Sequence, residues 1–201
     1  MISVNRRALK LVLTMTEDAE ALGIAVQKLS NGSTVLDCGV EVDGSLEAGR
    51  LYAEACMGGL AQITFCDLDL EGLWLPGVRV VVSQPPISCL GAQYAGWDVK
   101  VGSFSAMGSG PARALHASGP IFDHIVYQDD GDVGVLALET ADLPGEGVAD
   151  YVAEKCRVSP ENLYLLAAPT ASLVGSVQVA ARVVETGLHK MVEIGFDVNV
   201  L

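Results

Sequence analysis

The chain has 201 residues, 50% of them hydrophobic and 18% charged, which fits a compact globular protein and excludes a disordered one. Its 25 acidic and 12 basic residues leave a formal charge of −13, and no basic patch with interleaved aromatics offsets it, so nucleic acid is excluded as the main partner. The five cysteines, Cys38, Cys56, Cys66, Cys89 and Cys156, are odd in number, widely spaced and free of any CxxC pair, as expected of reduced thiols in a cytoplasmic protein without a structural metal.

The first predicted element is a helix over Ser3–Leu22, with Leu9, Val12, Leu13, Met15 and Ala19 at helical intervals and Gly23 closing it. The short apolar LVL within it is interrupted by threonines and acids and has no small-residue cleavage site, so it does not read as a secretory signal. IAVQKL and TVLDCGV flank the turn Ser30-Asn31-Gly32-Ser33 and predict a hairpin. A second helix is expected over Leu46–Met57, closed by Gly58-Gly59, followed by strands at Ala61–Phe65 and Val78–Val82. QPPISCLGAQYAGW opens on prolines suited to a loop that runs into a short helix.

GSFSAMGSGPARAL, residues 102–115, reads as a Gly/Ser-rich loop feeding a helix start at Pro111-Ala112-Arg113. There the Ser109-Gly110 amides and Arg113 could meet a phosphate or carboxylate; an ordinary Gly-rich turn is the competing reading, and the absence of GKS or GKT rules out a Walker loop. From Asp132 the pattern becomes strand DVGVLALE, helix LPGEGVADYVAEKC, strand NLYLLAA and a long final helix, a β-α-β-α order. The fold class expected is therefore α+β (mixed α/β), with subdomains over residues 1–117 and 118–201 and a cleft between them. Phe196–Leu201 reads as a strand just starting, so a C-terminal continuation is expected to be missing.

The final helix carries the chemistry. Within PTASLVGSVQVAARVVETGLHK, Gln178, Arg182, Glu185 and His189 follow at spacings of four, three and four, which places them on one stripe of a 3.6-residue helix. Leu173, Val177, Ala180, Val184, Leu188 and Met191 keep a similar rhythm on another face. Such a stripe is commonly a solvated face with a surface ion pair, worth only about 0.3 to 0.5 kcal/mol. Here Leu163–Ala181 contains no ionisable side chain except the Tyr164 phenol, so Arg182 and Glu185 are expected in a poorly solvated cleft wall, where the carboxylate can orient and deprotonate water. Pro169, Thr170, Ser172, Gly175, Ser176 and Gln178 interrupt the uncharged run, which reads as a buried strand and a helix and not as a membrane span.

SVNRRAL, DCGVEVDGSLEAGR, CMGGL, CLGAQYAGW, AMGSGPARAL and APTASLVGSVQVAARVVETGLHK, in that order, resemble the methenyltetrahydromethanopterin cyclohydrolase family, a one-carbon enzyme family of archaea and some methylotrophic bacteria. The resemblance implies reversible hydration of the cyclic methenyl cation of tetrahydromethanopterin to the formyl derivative, with no tightly bound cofactor and no metal. It implies Glu185 as base with Arg182 positioning it, and a homotrimer. A large pterin carrier with anionic tail groups then suggests contacts from Ser109, Gly110, Arg113, Thr170, Ser172 and Gln178, with Gln93 and Tyr94 along the flat ring. Trp97 reads as core, His189 as a helix-end histidine, and His116 and His124 show no partner spacing. Two other readings are a non-catalytic pterin-binding or assembly module on the same scaffold, and a cyclohydrolase acting on tetrahydrofolate.

Overall fold

A computed structural model describes residues 2–201. Helix α1 (Val4–Glu17) starts where the Ser3 hydroxyl accepts from the Arg6 amide, and buries Val4, Ala8, Val12 and Met15 along one stripe. The buried Asp129 carboxylate accepts from the Asn5 amide (3.0 Å), the Asn5 side chain (2.8 Å) and the Ser3 hydroxyl (3.0 Å), placing an anion at the helix N-terminus. The helix pauses at Asp18 and resumes as α2 (Ala19–Leu22), so the span expected as one helix is two.

Strands β1 (Ala25–Lys28) and β2 (Thr34–Asp37) form the expected antiparallel hairpin around Asn31-Gly32. Helix α3 (Leu46–Cys56) is capped by Ser45 and ends before Gly58, whose φ of 66° lets the chain turn back against Val4.

Three later expectations are corrected. The strands expected at Ala61–Phe65 and Val78–Val82 are the base of a longer hairpin, β3 (Ala61–Leu70) and β4 (Leu73–Val82). Its outer half is exposed on both faces, which removes the apolar/polar alternation that marks a half-buried strand. The Gly/Ser-rich segment read as a loop contains β6 (Phe104–Ser109), antiparallel to β5 (Trp97–Val101). Small residues give little strand signal, yet Gly108 lies where a Cβ would meet the Trp97 carbonyl at 3.1 Å, a close backbone approach. Phe196–Leu201 does not start a strand: Val198–Val200 form a 3-10 turn closed by Asp197 accepting from the Asn199 amide.

Pro86–Gln93 winds as a π-helix and α4 (Ala112–His116) is short. Then come β7 (Gly134–Glu139), α5 (Glu146–Cys156), β8 (Leu163–Ala168), α6 (Leu173–Ala180) and α7 (Val183–Glu193), which keeps the expected β-α-β-α order with the last helix divided.

The six-stranded sheet runs β1-β2-β8-β7-β6-β5, with β2, β8 and β7 parallel and the outer pairs antiparallel. It draws strands from both sides of residue 117, so the two halves of the chain share one sheet. Alternate residues serve opposite cores: Val135, Ala137, Leu166 and Ala168 pack with α1 and α3, whereas Leu136, Leu138, Leu163 and Leu165 pack with α5. Burial on both faces explains the near-continuous apolar runs of β7 and β8, each large side chain contributing roughly 2 kcal/mol. The carboxyl ends of these two strands, Glu139 and Ala168, lie side by side in register. That edge of a parallel sheet is where ligands bind in open α/β folds.

Candidate active site

Behind this edge, the chain leaves β8 through Pro169–Ser172 and enters α6, where the Ser172 hydroxyl accepts from the Gly175 amide (3.0 Å) and donates to the Pro169 carbonyl (2.8 Å). A Cβ on Gly175 would stand 2.0 Å from the Pro169 carbonyl oxygen, so only glycine lets the turn close this tightly. Gly49 admits α6 against α3 in the same way, since its Cβ would meet Val177 at 2.8 Å. Gly175→Ala should displace the start of α6 and lower stability by about 2 kcal/mol or more, visible as a depressed Tm. An unchanged Tm would show that the turn has slack.

The final helix is not continuous. Helix α6 is followed by its C-cap Ala181, and Arg182, with φ −81° and ψ 0°, is the N-cap of α7. The fully buried Gln93 donates from Nε2 to the Ala181 carbonyl (3.3 Å), partnering a backbone acceptor freed at the break. Across this junction Arg182 Nη2 contacts Glu185 Oε2 at 2.8 Å, with the two side chains 15% and 5% exposed. The pair is therefore largely buried, Glu185 fully and Arg182 in part, and is not a solvated surface bridge. Glu185 also lies in the first turn of α7, where the helix dipole favours a carboxylate. Gln178 is buried as well, while His189 is half-buried and its ring lies 4.8 Å from that of Tyr94. Of the expected apolar face, Val177 and Leu188 are buried but Leu173 and Ala180 are exposed, because the buried stripe of α6 is formed by Val174, Gly175, Val177 and Gln178.

Arg182 lines a narrow cleft with Tyr52, Ser109, Glu139, Thr170 and Gln178. The cleft encloses about 10 Å³, room for roughly one water. Thr170 Oγ1 donates to Glu139 Oε1 at 2.6 Å, and the Tyr52 hydroxyl donates towards the Leu138 and Leu166 carbonyls. The Ser109 hydroxyl donates to Cys56 Sγ at 3.8 Å, and burial pushes the Cys56 thiol up to about 11. Burial likewise pushes the Cys89 and Cys156 thiols to about 12 and raises Cys38, so none of these four is a thiolate nucleophile at neutral pH.

The segment Tyr94-Ala95-Gly96 separates this cleft from a second pocket of about 460 Å³: Ala95 faces the first, whereas Tyr94 and Gly96 line the second with Arg113, His124 and His189. Arg113 is only 2% exposed; Nη1 donates to the Leu90 carbonyl at 3.0 Å and Nη2 has no partner. Its guanidinium sits 4.9 Å from the Tyr94 ring centre and 5.3 Å from that of Phe122. Burial brings its pKa down to about 10, which leaves it charged at neutral pH.

Several of the expected contacts have polar groups engaged within the protein. The Gly110 amide donates to the Ala92 carbonyl (2.8 Å), and Ser109 belongs to β6, so the anion cradle expected from Ser109 and Gly110 does not form around Arg113. Ser172 spends its hydroxyl on the α6 start. Gln93 is too deeply buried to line a ring, while Trp97 packs in the core against His116, with ring centres 4.6 Å apart. Arg182, Gln178, Thr170 and Ser109 meet in one cleft; Tyr94 and Arg113 meet in the other.

The sequence model of the family described as Cyclohydrolase (MCH) matches residues 3–201. The chain belongs to that family. It is 55% identical over 204 aligned residues to methenyltetrahydromethanopterin cyclohydrolase of Methanocaldococcus jannaschii and to that of Methanothermobacter marburgensis, covering 99% of this chain and 63% of each relative. It is 46% identical over 200 aligned residues to the enzyme so named from Methanosarcina barkeri, covering 99% of this chain and 62% of that protein. The chain thus spans less than two thirds of the length of these curated cyclohydrolases.

For this member of the cyclohydrolase family, the residues that the sequence patterns left unmarked are Glu139 and Tyr52. Glu139 had one signal, a lone acid closing an otherwise apolar strand, GVLALE. Tyr52 lies within α3 and reaches the cleft only through tertiary packing.

Proposed function

We propose that the chain carries the catalytic pair of a methenyltetrahydromethanopterin cyclohydrolase. The observation that supports this most is the buried Arg182–Glu185 contact beside a water-sized cleft, in a member of the cyclohydrolase family. The substrate brings its own electrophile, a cationic carbon held between two nitrogens. In the proposed cycle the cation approaches Arg182 and loosens its hold on Glu185, and the freed carboxylate takes a proton from water as its oxygen bonds to that carbon. One C–N bond then breaks as a proton reaches the departing nitrogen, leaving the formyl group on the other nitrogen. The sum is methenyl cation plus water to formyl carrier plus one proton, and reversal follows the same steps.

Gln178 and Thr170 are proposed to bound the reacting region in the cleft. Tyr94 and Arg113 would offer an aromatic face and a charge to the more distant parts of the carrier, Arg113 with one nitrogen still unpartnered. Ser109, Gly110, Ser172 and Gln93 then act as supports, through the Ser109 and Ser172 hydroxyls, the Gly110 amide and the Gln93 Nε2. The reaction as written consumes no tightly bound cofactor. Among the described residues no helix is long and apolar enough to cross a membrane, and we place the protein in the cytoplasm on the strength of its unpaired cysteines.

A homotrimer is part of the same proposal. The outer half of the β3–β4 hairpin exposes Phe65, Leu68, Leu70, Leu73 and Trp74, with Trp74 at 67%, an apolar surface that an assembly would cover. Trp74→Glu should therefore shift sedimentation from oligomer to monomer without changing the circular dichroism of the fold. A wild-type monomer, or an unaltered oligomer in the variant, would remove the hairpin from the assembly.

Loss of methenyl-carrier absorbance on adding the protein tests the activity. Turnover of the methanopterin form in preference to the folate form supports the proposal; preference for the folate form would overturn the substrate, and binding without turnover would make the chain a pterin-binding module.

A further inference from the structure

Glu139 is the last residue of β7 and is exposed at the rim of the cleft, whereas the five residues before it in the strand are buried. Among the described residues no ion pair engages it. Thr170, just beyond the adjacent strand β8, donates its hydroxyl to Oε1 at 2.6 Å, and among the described residues no hydrogen bond reaches Oε2. The register that sets Glu139 beside Ala168 brings the two together, so the carboxylate is held by one oxygen and presents the other.

The chemistry of such a group is narrow. An ionised carboxylate only accepts hydrogen bonds, and two parallel N–H donors are its best partner. The cation that lines the same cleft, Arg182, is already engaged by Glu185. A ligand lying across the rim with its cationic carbon at Arg182 would therefore meet an acceptor at Glu139, and gains most there from a neutral edge with adjacent ring N–H and amino donors. The 2-amino-4-oxopyrimidine edge of a pterin has that arrangement.

We propose that Glu139, oriented by Thr170, reads the ring N–H and 2-amino group of the pterin and thereby sets which carriers the cleft accepts. The inference rests on the reading of this site as a cyclohydrolase site. Glu139 acts on binding and orientation, and no proton transfer in the reaction passes through it.

The test compares wild type, Glu139→Gln and Thr170→Val with the methenyl carrier and with an analogue lacking the 2-amino group. Glu139→Gln keeps the size and a partner for Thr170 but loses the charge; KM should rise about 30-fold while kcat stays within about two-fold, as expected for loss of a charge-assisted pair. Thr170→Val should raise KM by about three-fold through looser orientation. Wild type should lose about 30-fold in KM on the analogue, and Glu139→Gln should lose almost nothing further, because group and partner act as one. An unchanged KM in Glu139→Gln, or the same analogue penalty in both proteins, overturns the inference while leaving the activity intact. If wild type binds the carrier without turning it over, the cyclohydrolase reading falls and the same comparisons in Kd decide the role of Glu139. If wild type binds no pterin, both fall.

Discussion

Replacing Glu185 by Gln should lower turnover by about 10²- to 10⁴-fold, the span expected for loss of a general base, with KM held within a few-fold. The side chain is 5% exposed and its Oε2 lies 2.8 Å from Arg182, so Gln fills the same space and can still accept one hydrogen bond from the guanidinium. What it cannot do is take a proton from water. The effect should therefore fall on kcat, measured as methenyl-absorbance loss, while carrier binding followed by fluorescence stays close to wild type. Wild-type rates in the variant would clear Glu185 of any part in the chemistry.

Arg182→Ala should be the more damaging change, since it acts on both activity and stability. Removing the guanidinium leaves Glu185 as a buried carboxylate without its charged partner, a loss of about 3 kcal/mol and, for a chain of this length, on the order of 10 °C in Tm. Turnover should fall by about 10²-fold or more, because in the proposed cycle this group orients the base and faces the cationic carbon. Arg182→Lys separates the two effects. It keeps the charge but loses the planar fork, so it should recover most of the stability and little of the rate. Recovery of both would reduce Arg182 to a source of charge.

The residues behind these predictions could be read in advance for a specific reason. Arg182 and Glu185 stand at the end of a long run without charge, and an ion pair placed there has few routes to solvent. The apolar runs of β7 and β8 are likewise local signals, and both strands lie where the sequence pattern puts them. The break at Ala181-Arg182 had no such signal, since neither proline nor glycine marks it. It is stabilised by Gln93, which lies 88 positions earlier in the chain. Pairing of Thr34 with Tyr164 is more distant still, and it joins the two expected halves into one sheet. The exposed hairpin around Trp74 was missed because its apolar residues follow no single buried face.

These non-local features are also what build the site. Gln93 fixes the junction from which Arg182 projects, and the β7–β8 register sets Glu139 beside Thr170. The polar stripe alone would predict a smooth helix edge, whereas the break leaves Arg182 paired with buried Glu185 and lining the cleft, and His189 lining the Tyr94 pocket.

The most direct test of the account is a double-mutant cycle on kcat with Arg182→Ala, Glu185→Gln and the two combined, using the methenyl carrier. If guanidinium and carboxylate handle the water proton as one unit, the double variant will be no more than a few-fold slower than the slower single variant. Losses that multiply, each side chain contributing its full factor independently of the other, would contradict it.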